Sequence, residues 1–356
     1  MALMSECANA AAATLLAFAV SWLLNRLVLT YAPRLGLIDE PSERKVHRLP
    51  VPKGGGLAIY AAVVLSQAVA SFRFPDAPVL LGVGLGIVIL GLVDDRYPLP
   101  WQFRLGAQAM LALAALAALG AVGADASRFW LPWPLAWVWV VGLTNAFNML
   151  DNMDGLSAGT ACIVCVLSAV LCLLTDIPGG MDAILMYLIL AGTLAGFLVY
   201  NRPPARMFMG DAGSTFLGFL LGLASLRPTA AADRLFQSGG VALCLLAIPL
   251  YDMVTVIVIR LLQGRSPFHA DKQHLSHRLT DVGLTQAQSV MCILACGAIV
   301  GLAGITCRHL GPIAALTIAL SGWAIMLASE LALHKVIGRR IAVLPSEPPV
   351  PRPENG

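Results

Sequence analysis

Apolar and short polar stretches alternate along almost the whole chain. Eleven apolar runs fall at about 8–30, 54–71, 78–93, 104–123, 134–150, 157–175, 183–200, 213–227, 239–262, 288–306 and 311–335. A helix rises 1.5 Å per residue, and a bilayer core about 30 Å thick takes roughly 20 residues of it. Each run therefore predicts a membrane-crossing helix, several of them short. The expected fold class is all-α: a polytopic integral membrane protein of about eleven transmembrane helices, one domain over residues 1–340, with no internal repeat of the kind that transporters carry. Residues 341–356 include PSEPPVPRPENG, a Pro-rich composition that predicts a disordered tail.

Composition agrees. Of 356 residues 58% are hydrophobic and only 12% charged, where a water-soluble domain carries about a quarter. Orientation follows from the basic residues of the loops. With the N-terminus outside, seventeen Lys and Arg fall on the cytoplasmic side, from Arg34 to Arg352, against five outside: Arg73, Arg128, Arg227, Arg234 and Arg308. That predicts a periplasmic N-terminus and a cytoplasmic C-terminus. No basic run precedes the first apolar segment, which reads as a retained helix and not a cleaved signal. The net charge of +3 is explained by this topology, so nucleic acid is not implied. Cys162 and Cys165 imitate a redox pair but lie inside an apolar run, where small residues pack helix on helix.

Polar chemistry collects in the cytoplasmic loops. IDEPSERKVHRLPVPKGGG ends in three glycines that open a helix, which suits an anion on backbone N–H groups or, equally, an orientation signal with a flexible turn. Asp94 and Asp95 end an otherwise apolar helix, where adjacent carboxylates are costly unless a cation joins them. In NAFNMLDNMDGLSAG, a helix continued past Leu150 would put Asn145, Asn148 and Asn152 on one face, with Asp151 and Asp154 three apart. Oxygen ligands of that kind suit Mg²⁺ or Mn²⁺, and the alternative is an Asn/Asp-rich turn. In NRPPARMFMGDAGSTFLG, Asp211 sits between Gly210 and Gly213 before an apolar run, and Phe208 offers a face to a base. Arg265, Lys272 and Arg278 accompany His269, His274 and His277 in the next loop without cysteines, which favours cations around phosphate over a zinc site. Together these are the parts of Mg²⁺-assisted phosphoryl transfer.

Four motifs in order and register, DDRYPL, NAFNMLDNMDGL, FMGDAGS and GRSPFHADKQHLSHRL, with the earlier RKVHRLPVPKGGG, resemble the polyprenyl-phosphate N-acetylhexosamine-1-phosphate transferases over about residues 20–335. The resemblance implies a bacterial inner-membrane enzyme whose cytoplasmic face transfers a sugar 1-phosphate from a UDP-N-acetylhexosamine to undecaprenyl phosphate, releasing UMP. Carried over by position, Asp94, Asp95 and Asp211 would be catalytic, and Asp211 with Asn148 would hold Mg²⁺. Asp94 and Asp95 would lie beside the lipid phosphate with Arg104 as a cation. Phe208 would stack on uracil and Asp154 would touch the nucleotide. His274, His277, Arg265 and Arg278 would face diphosphate and sugar, and Lys45, Asn145 and Asp151 complete the substrate-binding set. The resemblance leaves room for a homodimer.

Within that family the pattern is nearer the UDP-N-acetylglucosamine branch, which starts O-antigen, enterobacterial common antigen or teichoic acid linkage units. The branch that transfers phospho-MurNAc-pentapeptide, the alternative, usually has Lys where this chain has Pro98 and three consecutive His where this chain has HLSH. The second pKa of a phosphate monoester is about 6, so a lipid phosphate is largely dianionic and one in-line displacement is the expected route; an Asp nucleophile is the alternative. Asp252, inside the run 239–262, is an intramembrane carboxylate, either functional or a structural hydrogen bond between helices, while Glu330 and His334 are expected to snorkel to the interface. A transporter would spread polar residues through helix midplanes, a CDP-alcohol phosphotransferase would carry a single Asp/Gly/Arg signature, and a bare scaffold gives no reason for Asp211 and Asn148.

Overall fold

The computed structural model describes residues 2–40, 50–69, 76–122, 131–175, 180–226, 234–268, 271–310 and 312–343. Lys45, His269 and the tail from residue 344 onward lie outside the described residues. In chain order the helices are α1 (Ala2–Leu35), α2 (Gly55–Val69), α3 (Ala77–Arg96), α4 (Trp101–Val122), α5 (Trp133–Leu150), α6 (Leu156–Leu173), α7 (Gly180–Asn201), α8 (Gly210–Ala224), α9 (Arg234–Leu245), α10 (Ala247–Leu262), α11 (Leu275–Asp281), α12 (Gln286–Thr306) and α13 (Pro312–Val343). Seven of these are long and apolar enough to cross a membrane, and eight spans result if the bent pair α9–α10 is one. The chain is an all-helical, polytopic membrane protein. Its only described strands are a two-residue antiparallel pair, Ile38–Asp39 with Val51–Pro52.

At the centre stands α8, packed against α2, α3 and α5. Every residue from Ala212 to Ala224 is buried, as expected of a helix apolar all round. Small residues let its backbone approach its neighbours closely. A Cβ added at Gly56 of α2 would stand 2.1 Å from the backbone nitrogen of Gly213, and one at Gly91 of α3 would stand 2.3 Å from the Cα of Ala212. On the other side a Cβ at Gly218 would meet the carbonyl oxygen of Leu143 in α5 at 2.3 Å. These contacts lock the start of α8 beside the ends of α3 and α5, which is where Asp211, Asp94, Asp95 and Asn148 reside. Cys162 and Cys165 sit in α6 as small packing residues, Cys165 fully buried.

Three expectations are corrected. The run 239–262 is not one helix: α9 and α10 meet at Leu246 with a 78° bend. Pro249 supplies the reason, since it has no N–H for the carbonyl of Leu245 and its ring crowds that carbonyl. Likewise α5 ends at Leu150, so Asn152 lies in the following turn and does not share a helix face with Asn145 and Asn148. Glu330 does not snorkel. It is 7% exposed, accepts from Arg278 Nε at 2.7 Å and from the Tyr251 hydroxyl at 2.9 Å, and so ties α13 to α11 and α10.

Candidate active site

A cavity of about 680 Å³ opens at the ends of these helices, lined by residues from five parts of the chain: Asp39 with Val51 and Lys53, Asp95, Asp151 to Asp154, Asn201 with Pro204 to Asp211, and Asp271 to His277 with Gln286. A smaller adjoining pocket of about 20 Å³ is lined by Asp94, Arg104, Gln108, Asn145, Asn148, Asp211 and Thr215. Asp211 belongs to both, so it stands at their junction.

Cations and amides hold the carboxylates together. Arg104 donates from Nη1 to Asp94 Oδ2 at 2.6 Å and to Asp211 Oδ2 at 3.1 Å. Its buried Nε has no acceptor among the described residues. Asp94 also accepts from the Leu99 N–H at 2.7 Å. Lys53 Nζ lies 3.6 Å from both Asp95 and Asp39, and the Ala212 N–H reaches Asp95 at 3.4 Å. Asn148 donates to Asp211 Oδ1 at 3.0 Å and to Ser214 at 3.1 Å. Gly210, at φ +71°, adopts a backbone that side chains disfavour, and a Cβ there would strike Asp95 Oδ2 at 2.4 Å.

The loop after α5 is built as firmly. The Ala205 N–H donates to Asp154 at 2.8 Å, and the Gly155 N–H to Asn201 at 3.0 Å. Withdrawal from water, reinforced by the carboxylates of Asp211, Asp95 and Asp154, pushes Asp151 well above the usual carboxylate range. Ser276 donates a short hydrogen bond to Asn152, joining this loop to α11. Before α11, Arg260 forms a two-pronged ion pair with Asp271 at 3.0 Å for each arm. Burial works against the Asp271 charge, but hydrogen bonds from Arg260 and the Gln273 N–H outweigh it and lower the pKa. Burial, with His274 and Lys272 nearby, holds His277 below the ordinary imidazole value.

Of the residues expected at the site, Asp95, Asp151, Asp154, Phe208, Asp211, His274 and His277 line the main cavity, and Asp94, Arg104, Asn145 and Asn148 the small one. Asn145 turns its amide to Gln108 at 2.8 Å. Two arginines lie elsewhere: Arg265 is exposed on the loop after α10, and Arg278 is spent on Glu330 and Thr255. Two of the three glycine N–H groups considered for an anion are also spent, Gly55 on the Phe208 carbonyl and Gly56 on the Met209 carbonyl. Lys53, Asp39, Asn201 and Asp271 join the cavity without having been expected there. For Lys53 and Asn201 the sequence holds a clue, each being a polar residue at the very edge of an apolar run.

Six aspartates line the main cavity against two lysines. The donors are oxygens, as a hard cation requires. Among the described residues no three acidic or imidazole groups converge into a complete metal cage. Asp211 beside Asn148 offers oxygen donors for such a cation, and Mg²⁺ is commonly held by one or two carboxylates with substrate phosphates filling the remainder.

The model of the family described as "Glycosyl transferase family 4" matches residues 77–229, which carry most of these groups. Over 307 residues, 82% of this chain and 84% of the relative, the sequence is 35% identical to a probable undecaprenyl-phosphate N-acetylglucosaminyl 1-phosphate transferase of Bacillus subtilis (strain 168). The chain belongs to glycosyl transferase family 4. A decaprenyl-phosphate N-acetylglucosaminephosphotransferase of Mycolicibacterium smegmatis is 31% identical, covering 79% of this chain and 77% of that one. The undecaprenyl-phosphate alpha-N-acetylglucosaminyl 1-phosphate transferase of Escherichia coli (strain K12) is 29% identical, covering 78% of each. This family 4 chain is thus similar over most of its length to enzymes named as N-acetylglucosamine phosphotransferases. Its polar groups gather at one end of the helix bundle, as a membrane-surface enzyme requires and a midplane transporter does not.

Proposed function

We propose that the protein transfers N-acetylglucosamine 1-phosphate from UDP-N-acetylglucosamine to undecaprenyl phosphate, releasing UMP and starting a cell-surface glycan. The observation that carries this reading is the meeting of Asp94, Asp95, Asn148, Asp211 and His274 around two adjoining cavities, from positions up to 180 residues apart, in a chain of this family. Eight spans with the shorter helices α2, α5 and α8 make eleven. α8 is 15 residues and about 22 Å long, and its burial shields it from the full lipid thickness. The excess of basic residues in the loops expected on that side supports a cavity that faces the cytoplasm from the inner membrane.

In the reaction, Phe208 and Asp154 take the uridine and His277 and Lys272 meet the diphosphate. Asp211 with Asn148 would hold Mg²⁺, which would supply charge neutralisation on the diphosphate. Arg104 bridges Asp94 and Asp211 and offsets their charge. The lipid phosphate, largely dianionic, attacks the β-phosphorus in one displacement and UMP leaves. The three aspartates are each held by a cation or amide, which favours positioning over nucleophilic attack by any of them. The test is UMP release by detergent-purified protein given undecaprenyl phosphate and, in turn, UDP-GlcNAc, UDP-GalNAc and UDP-MurNAc-pentapeptide, with and without EDTA. Turnover with UDP-GlcNAc alone, lost with EDTA and in Asp211→Asn, is expected. Turnover with another donor reassigns the sugar, and a trapped phospho-enzyme overturns the single step.

A further inference from the structure

Asp252 stands outside the cavity, yet both of its oxygens are aimed at the segment that lines it. It is 1% exposed in α10. Oδ2 lies 2.7 Å from His274 Nδ1, and Oδ1 accepts the Leu275 N–H at 2.6 Å. His274 is the residue that opens α11, and it lines the main cavity.

An ionised carboxylate only accepts hydrogen bonds, so a 2.7 Å contact requires the proton to be on Nδ1 of His274. With Nδ1 taken, Nε2 is the ring atom left to offer the cavity. We infer that Asp252 is a positioning residue: it fixes the tautomer and ring orientation of His274, and the Leu275 bond sets where α11 begins. The inference rests on the transferase reading. It resolves the dual reading of this intramembrane carboxylate, because a mere helix tie would not need both oxygens on consecutive residues of the site loop. The tie between helices is already made by Arg278, Glu330 and Tyr251.

The isosteric Asp252→Asn keeps an oxygen for Leu275 but turns an NH₂ toward His274, which then must accept at Nδ1 and carry its proton on Nε2. Loss of such an outer partner typically costs about 10- to 100-fold. The expected result is a kcat lower by about that factor, KM for UDP-GlcNAc changed less than about threefold, and partial recovery in Asp252→Glu. Asp252→Asn with His274→Asn should be no slower than His274→Asn alone, since the first acts through the second. Independently of turnover, ¹⁵N-histidine spectra, with His274 assigned by its loss in His274→Asn, should show Nδ1–H in the parent and Nε2–H in Asp252→Asn. Additive losses in the double variant, or an unchanged His274 tautomer, would overturn the inference. The spectra decide it even if the donor sugar proves to be a different one.

Discussion

Arg104 is the residue on which the small pocket depends. Its Nη1 is shared between Asp94 and Asp211, so removing it leaves two carboxylates facing each other. Arg104→Ala is expected to lower kcat by about 10²- to 10³-fold, the scale seen when one preorganised donor is lost, and to raise the Mg²⁺ concentration needed for half-maximal rate. Arg104→Lys should recover part of the rate, because one nitrogen makes both contacts and an ammonium can supply it, though without the planar fork that orients the guanidinium. Equal rates for all three would show that the pocket has no part in turnover. His277 gives a prediction with a sign. Its free-state pKa lies below the ordinary imidazole value of about 6.5, so at neutral pH it binds no proton. A diphosphate beside it favours the charged form. Binding of UDP-GlcNAc should therefore take up protons when the pH lies between the free and bound values, and affinity should fall as pH rises through the bound value. Calorimetry in buffers of different ionisation enthalpy measures this uptake, and His277→Gln should remove it. No difference between the two proteins would place His277 away from the diphosphate.

At the scale of elements, the helix–loop order and the gathering of acidic residues at one face were legible in the chain because apolar periodicity and Asp/Asn clustering are local. What was not legible depended on distant partners. Glu330, near the end of a long apolar run, looks like an interfacial side chain until α11 brings Arg278 to it, and the break at Leu246 is hidden inside an unbroken apolar string in which only Pro249 hints at it. Lys53 is one more basic loop residue until the chain pairs its segment with Phe208 and sets it beside Asp95. The Glu330 network can be tested as an element. Both ion-pair side chains are close to nine-tenths buried, and stripping one partner from such a pair leaves a buried charge at a cost of about 3–5 kcal/mol. Glu330→Ala should lower the thermal unfolding temperature in detergent and, by releasing α11, lower turnover as well. Replacing both partners together, Glu330→Leu with Arg278→Met, should restore much of the temperature. If Glu330→Ala unfolds at the parent's temperature, α13 does not hold α11.

For the whole molecule, the decisive property is which side of the membrane the acidic cavity faces. Sorted by the eleven expected spans, the basic residues of the sequence divide seventeen to five in favour of the side that carries the site motifs, and a bias of that size favours a cytoplasmic cavity. UDP-sugars are cytoplasmic metabolites, so a cavity facing the other way would have no donor to bind. Two exposed positions report the answer: Cys7 near the start of α1 and Ser266 on the loop that carries Asp271 and His274. In a variant retaining Cys7 as its only cysteine, a membrane-impermeant thiol reagent should label spheroplasts directly. In an otherwise cysteine-free Ser266→Cys variant, the same reagent should label only after the membrane is permeabilised. The reversed pattern would invert the topology and remove the proposed donor. Labelling of both positions from outside would require an even number of crossings between them, and with it a different count from eleven, with α2, α5 or α8 as the helix that fails to span.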